Sequence, residues 1–447
     1  MHAHAYDRPR APRWHALAAA ALATFSAGTA RADEPSADRR APRAEHVFVA
    51  DPDFTMEGNV RTFESFGRVL FLYEKALPTW SDNAVALAAG RTAKLLFLDA
   101  PLAYLTAVTI HEVAGHGARG RELGRSPVFS FKLPEPYRSL LSPGDDEANL
   151  ARSRDGIRGQ PDKDVLFVMG GTEANHVTCQ WLNRRLVSMG GRAHHADLLV
   201  YGVSRVAYAS SFLGSDIESG SAGGSDDVAA YVDALQARFD AGGADDRRRV
   251  ASRLRAGYIW NLFDPTLALS VWGTLVDALG RGRAYSELPL PQLGGLVVYP
   301  APRFGLTPFG GEQAIDVRFA PARDRDGRGP GRAFATWVGE VYGRVGTSGL
   351  ARYQGAGAKL LDVRVAEPVR AGAELDVWNQ PVVDLEARSW FDRPNRLGAN
   401  VGAFGRLALF DRIGVTAKLG YKSWGHVQGL PIAAGLHGYI GLSLDPR

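Results

Sequence analysis

Residues 413–422, IGVTAKLGYK, alternate: Ile413, Val415, Ala417, Leu419 and Tyr421 fall on one side, Thr416, Lys418 and Lys422 on the other. A two-residue period places successive side chains on opposite faces of a β-strand. The pattern recurs upstream. Ile315, Val317 and Phe319 alternate with Asp316 and Arg318, and Leu361, Val363 and Val365 with Asp362 and Arg364. Val383, Leu385 and Ala387 alternate in the same way with Asp384, Glu386 and Arg388. With turns such as Asp392-Arg393-Pro394-Asn395 between them, these runs predict about eight to ten antiparallel strands from about Gly294 onward.

Alternation defines two faces without saying which is inside. In a soluble sandwich the apolar face is the core; in an outer-membrane barrel it meets lipid and the charged face lines the lumen. Bulky aromatics near strand ends (Phe391, Phe410, Tyr421, Trp424, Tyr439), with many glycines between, resemble outer-membrane barrel strands. The resemblance implies a membrane-spanning barrel, which is favoured here over a sandwich.

Upstream the period is helical. Helical pattern covers Phe63 to Lys75 and Ala84 to Phe97, after a short strand at His46 to Ala50. In Asp99 to Gly124, Asp99 is a good N-cap, Pro101 fits the first turn, and Gly124 with Pro127 makes a stop. Leu95 to Gly115 is apolar enough to raise a membrane span, but Asp99 and Pro101 within it favour a buried core helix. A polar loop, Glu135 to Lys163, could be a lid. Gly170-Gly171 then turns the chain, Thr172 caps a helix to Gly190-Gly191, and Ser225 caps another through Phe239. The chain thus reads as α+β, a helical domain (83–284) before an antiparallel β domain (285–447).

A chain of 447 residues exceeds a single ordinary core. Its net charge of +4 is small, and the basic residues are scattered, which leaves no footprint for nucleic acid. Arg8, Arg10 and Arg13, the apolar run Trp14 to Phe25 and Ala30-Arg31-Ala32 read as a secretory signal over residues 1–32, ahead of a leader and first elements over 33–82. Export to the periplasm or outer membrane of a bacterial envelope is expected. The single Cys179 cannot form an internal disulfide and reads as a small core residue. The sequence leaves the oligomeric state open.

The chemistry concentrates in His111-Glu112-Val113-Ala114-Gly115-His116. Zinc proteases commonly space the two histidines four apart on one helical face. Here they are five apart, which on a regular helix leaves them ~140° out of register. A π-bulge would rotate the second imidazole back toward the first, and Gly115 makes that distortion cheaper. The pattern His-Glu-x-x-Gly-His resembles the zinc motif of the dipeptidyl peptidase III family of metallopeptidases, which tolerates the longer spacing. The resemblance implies one Zn²⁺ per chain on His111 and His116, with Glu112 as general base and a peptide or protein substrate. Glu-ligand zinc peptidases draw a third ligand from a later helix, and Glu173 is the candidate, with His176 its competitor. His194 and His195, in a His-His-x-Asp run, are auxiliary candidates; Tyr201 and Tyr208 could offer a phenol to an oxyanion, although packing suits them better. Two other readings use the same residues. Glu112/His116 and Glu173/His176 could form a di-metal carboxylate redox site, or the chain could be a non-enzymatic outer-membrane β-protein with a helical periplasmic part.

Overall fold

The computed structural model describes residues 46–51, 54–71, 83–127, 129, 157, 160–214, 216–219, 226–239, 243–322, 337–386, 394–410 and 413–444. The signal-peptide reading and most of the proposed lid lie outside these residues.

The helical part begins with α1 (Met56–Leu70), capped by Thr55, whose side chain accepts from the Gly58 amide. A single continuous helix follows, α2 (Ala84–Glu122). It is not regular: the backbone widens to π-type turns at Leu95–Asp99 and again at Ile110–His116. Asp99 therefore lies inside the helix and caps nothing, although Gly124 past its end has the positive φ of a helix stop. Next come α3 (Pro161–Ser188), α4 (His195–Val206) and, after two short helical segments, α5 (Asp227–Arg238) and α6 (Ala244–Ile259). Asp264 caps α7 (Pro265–Trp272), which runs on through a further π segment, Gly273–Gly280.

Two local expectations change. α3 starts at Pro161, so Gly170 and Gly171 are helical rather than a turn. The cap of α5 is Asp226, which accepts from Val228 and Ala229, not Ser225.

The fold is α+β: helices, then a ten-stranded antiparallel sheet. Strands β1 (His46–Ala50), β2 (Arg192–His194), β3 (Tyr285–Glu287), β4 (Gln292–Leu293), β5 (Leu296–Thr307), β6 (Gly310–Pro321), β7 (Val338–Gly346), β8 (Gln354–Ala366), β9 (Val369–Pro381), β10 (Asn395–Ala408), β11 (Ile413–Lys422) and β12 (Gly435–Leu444) follow in chain order. β2 and β3 pair apart; the large sheet runs β1-β12-β11-β10-β9-β8-β7-β6-β5-β4. It is not closed into a barrel: among the described residues no ladder joins β1 to β4. The strand expected over 383–388 is absent at 383–386, where the Asp384 amide bonds Asp162 Oδ2 (2.6 Å) and Val383 and Leu385 pack on the helical core.

The faces of this sheet are inverted relative to a soluble one. Asp316, Arg318, Glu340, Arg344, Glu374, Asp376, Asn400, Lys418 and Lys422 are buried, whereas Ile315, Val341, Val345, Leu375, Val377, Leu397, Val401, Leu419 and Leu442 are exposed. Charges are buried only when paired or hydrogen-bonded; most of these are ion-paired, while Asp376 accepts from Tyr342 and Asn400 and Lys422 donates to the Gly425 and Ile432 carbonyls. Arg184 of α3 forks onto Glu340 (both bonds 2.9 Å), and Lys418 reaches Glu57 of α1 (2.5 Å) and Glu374 (2.8 Å). A bulge near Leu361, with Asp362 at φ 60, shifts the parity of β8. The apolar core lies elsewhere, among α3, α5, α6 and the base of β5.

Candidate metal centre

The π-type turn at Ile110–His116 does what the five-residue spacing requires. One extra residue in the turn brings both imidazoles to the same side, with Nε2 of His111 and Nε2 of His116 3.1 Å apart. Asp227, the first residue of α5, completes the group. Its Oδ2 lies 2.9 Å from His111 Nε2 and 3.2 Å from His116 Nε2. Two donors ~2.0–2.1 Å from a tetrahedral zinc stand roughly 3.3 Å apart, so three atoms separated this way converge on a point one ion could occupy.

The supporting shell fits that use. His116 Nδ1 lies 2.8 Å from the Phe167 carbonyl, an acceptor that fixes the proton on Nδ1 and leaves Nε2 free to ligate. His111 Nδ1 faces the Asn175 amide at 3.4 Å, and Asn175 Oδ1 is buried with no hydrogen-bond partner. A ligating His111 carries its proton on Nδ1 and needs an acceptor there; rotating the amide by half a turn supplies Oδ1 and removes the orphan.

Close helix packing makes room for the rings. A Cβ on Gly115 would lie 2.6 Å from Gly170 O and Gly171 Cα, and one on Gly171 would lie 2.0 Å from His111 Cε1. The two glycines inside α3 thus let α2 cross it at backbone contact, and Gly171 is the floor under the imidazole. This constraint joins the π-turn in explaining Gly115.

Asp227 is half-buried. Burial would raise its carboxyl, but His116 and His111 hold it well below the usual carboxylate range. Tyr208 Oη stands 2.7 Å from His111 Nε2 and 3.2 Å from Asp227 Oδ2, with its ring stacked on His111 at 5.2 Å. Burial and then the Asp227 charge push its phenol well up, so it stays a donor. Glu112, half-buried, is near enough for His116 and Tyr208 to feel its charge. Its carboxylate makes no hydrogen bond or ion pair among the described residues.

The other candidates are not brought here. Glu173 receives Arg119 Nε (3.0 Å) and Nη2 (2.5 Å), accepts from the Gly429 amide (2.9 Å) and lies 3.2 Å from His426. Burial would raise it, but Arg119 and then His426 bring it down to about 2. This carboxylate bolts α2 and α3 to the chain between β11 and β12. His176 turns toward β5, its Nδ1 beside Gly305, and burial followed by Arg205 and Arg303 lowers it to about 3. The two Glu/His pairs of a di-metal site therefore do not face each other. His194 caps α4, His195 packs edge-on to Phe71 and lies 3.7 Å from Asp99, and Tyr201 hydrogen-bonds Asp264 and Asn183. Cys179 is buried, as expected.

A cap at Ser225, as the sequence suggests, hides Asp227. Two consecutive aspartates at a helix start carry the signal, since one caps and the other is left to point elsewhere. Tyr208, set aside as packing, is the phenol that reaches the site. Comparison with known proteins brings no match: no family model, no curated protein and no solved structure. The likeness to dipeptidyl peptidase III rests on six residues.

Proposed function

We propose that this chain is a zinc-dependent peptidase of the bacterial envelope, with His111, His116 and Asp227 as ligands of one ion and Glu112 as general base. The observation that carries the reading is a carboxylate, unpaired among the described residues, beside three convergent donors, two of which have their rings oriented from behind. Asp227 takes the place first expected of Glu173. A zinc ion held there would polarise a peptide carbonyl and lower the pKa of water in its open position.

Glu112 then takes a proton from the attacking water and passes it to the leaving amine. Tyr208, kept protonated, donates a hydrogen bond to charge developing on the carbonyl oxygen. Asn175 and the Phe167 carbonyl hold the imidazoles in the ligating tautomer.

The test uses the purified full chain, its metal content, and cleavage of a quenched-fluorescence peptide library. Wild type and Glu112→Gln should each carry one zinc per chain and His116→Ala none, with cleavage by wild type alone. Undiminished cleavage by Glu112→Gln sinks the assignment. A stoichiometry of two metal ions per chain would contradict a single ion on His111, His116 and Asp227.

A further inference from the structure

The apolar surface of this protein is not confined to the sheet. Val85, Leu96, Phe97 and Leu98 of α2 are exposed, as are Phe66 and Leu70 of α1 and Val271, Trp272 and Leu275 of α7 and its extension. The buried core helix expected over 95–115 thus holds only for its second half, which carries the site. The first half shows a fully apolar run to the outside.

These helices pack in series from β1 toward β5, the strand beside the short edge strand β4. At the β1 edge, Ser65 Oγ of α1 accepts from the Val47 amide (2.8 Å) and donates to the Val47 carbonyl (2.9 Å), while Thr62 Oγ1 accepts from the Val49 amide (2.9 Å). The unpaired backbone groups of an edge strand are thereby satisfied by helix side chains instead of water. α1 packs along residues 100–109 of α2. Arg91 of α2 donates to the Leu279 carbonyl (2.8 Å) at the end of the α7 extension, and Leu269 of α7 shares an apolar cluster with Val297, Tyr299 and Ala301 of β5. The circuit β1–α1–α2–α7–β5 is complete.

We propose that ten strands and these three helices form one closed, lipid-embedded wall, in which helices take the place of the strands that would have completed a barrel. The occupant of the outer surface is bilayer hydrocarbon. Three observations favour it over a second protein. The apolar surface continues round both strands and helices, where a protein interface would be one patch. Most charged groups on the inner face are ion-paired, and the Val47 and Val49 backbone groups on the β1 edge are capped by helix hydroxyls, as a membrane interior demands. The height also fits: from Leu397 to Leu407, ten residues of β10 at ~3.3 Å each give about 33 Å, or roughly 25 Å at the usual strand tilt. The wall does not depend on the metal chemistry, so either reading can fail alone.

The test places a nitroxide on single cysteines in a Cys179→Ala background, with the full chain reconstituted into phosphatidylethanolamine–phosphatidylglycerol vesicles. Positions 375 and 419 report on strands, 96 and 275 on helices, and the exposed Asp245 position serves as the aqueous control. All four wall positions should show a several-fold higher ratio of oxygen to nickel-chelate collision than position 245. Lipids brominated in the acyl chain should quench tryptophan fluorescence, and less so in Trp272→Phe. Nickel access at all five positions, or a chain that stays in the aqueous fraction, overturns the proposal. Lipid contact at 375 and 419 with nickel access at 96 and 275 overturns it too, because the helices would then not complete the wall.

Discussion

Nε2 of His116 lies 3.1 Å from Nε2 of His111, although the two residues are five apart on one continuous helix. The widened turn that allows this is held open from the other side by Gly115 against Gly170 and Gly171 of α3. Geometry that costs backbone regularity persists where the surroundings over-determine it, and here they are two helices in backbone contact.

Gly171→Ala should therefore abolish metal binding. Its Cβ would sit 2.0 Å from His111 Cε1, so the ring must leave. Overpacking of this kind typically costs about 1–3 kcal/mol, which leaves a folded protein without a site. Elemental analysis with a thermal melt checks both halves; full zinc content would contradict the geometry.

Asn175→Ala should weaken metal binding by about 10–100-fold, the usual effect of removing a partner behind a ligating histidine. Asn175→Asp, which offers an acceptor in every orientation, should bind at least as well as wild type. A competition titration with a zinc chelator measures both.

Glu173 separates a ligand role from a structural one. Glu173→Gln should keep its zinc and lose stability, since the buried Arg119 guanidinium would lose the forked one of its two carboxylate partners and keep only Glu122. The pH dependence has a definite sign. The folded carboxyl lies at about 2, below the ~4.3 of an unfolded glutamate, so its contribution is complete above ~4.3 and lost as pH falls toward 2. Melts of wild type and Glu173→Gln in detergent should converge as the pH drops through that window. Loss of zinc from the variant at neutral pH would restore Glu173 as a ligand.

The strands and the hexapeptide were legible because each is local: a two-residue period, and two imidazoles within one turn and a half of helix. The need for a distorted turn was also legible, as the spacing permits nothing else. Asp227 lies 111 residues from His116, and nothing in the sequence ties the two together. Glu173 shows the converse, a helical carboxylate of suitable type claimed by Arg119, whose reach no pattern reveals. Alternation alone leaves the orientation of the sheet open, since it is the same whether charge or hydrocarbon faces inward; only the strand-end aromatics and the glycines between them favour an apolar outer face.

Neighbours on β11 test that orientation most directly. Lys418 is 3 % exposed, between Glu57 and Glu374, whereas Leu419 is 63 % exposed. In a water-soluble sheet Leu419→Arg would be nearly neutral, as exposed substitutions usually are. Facing a bilayer midplane, it should cost about 2–4 kcal/mol, and less toward an interface. Lys418→Leu should cost about 3–5 kcal/mol in either setting, because it leaves the Glu57 carboxylate without its bonded cation and Glu374 with Lys359 alone. Urea unfolding in vesicles gives both numbers on one scale. A large loss at 418 with none at 419 would mean that water, not lipid, meets this face of the sheet.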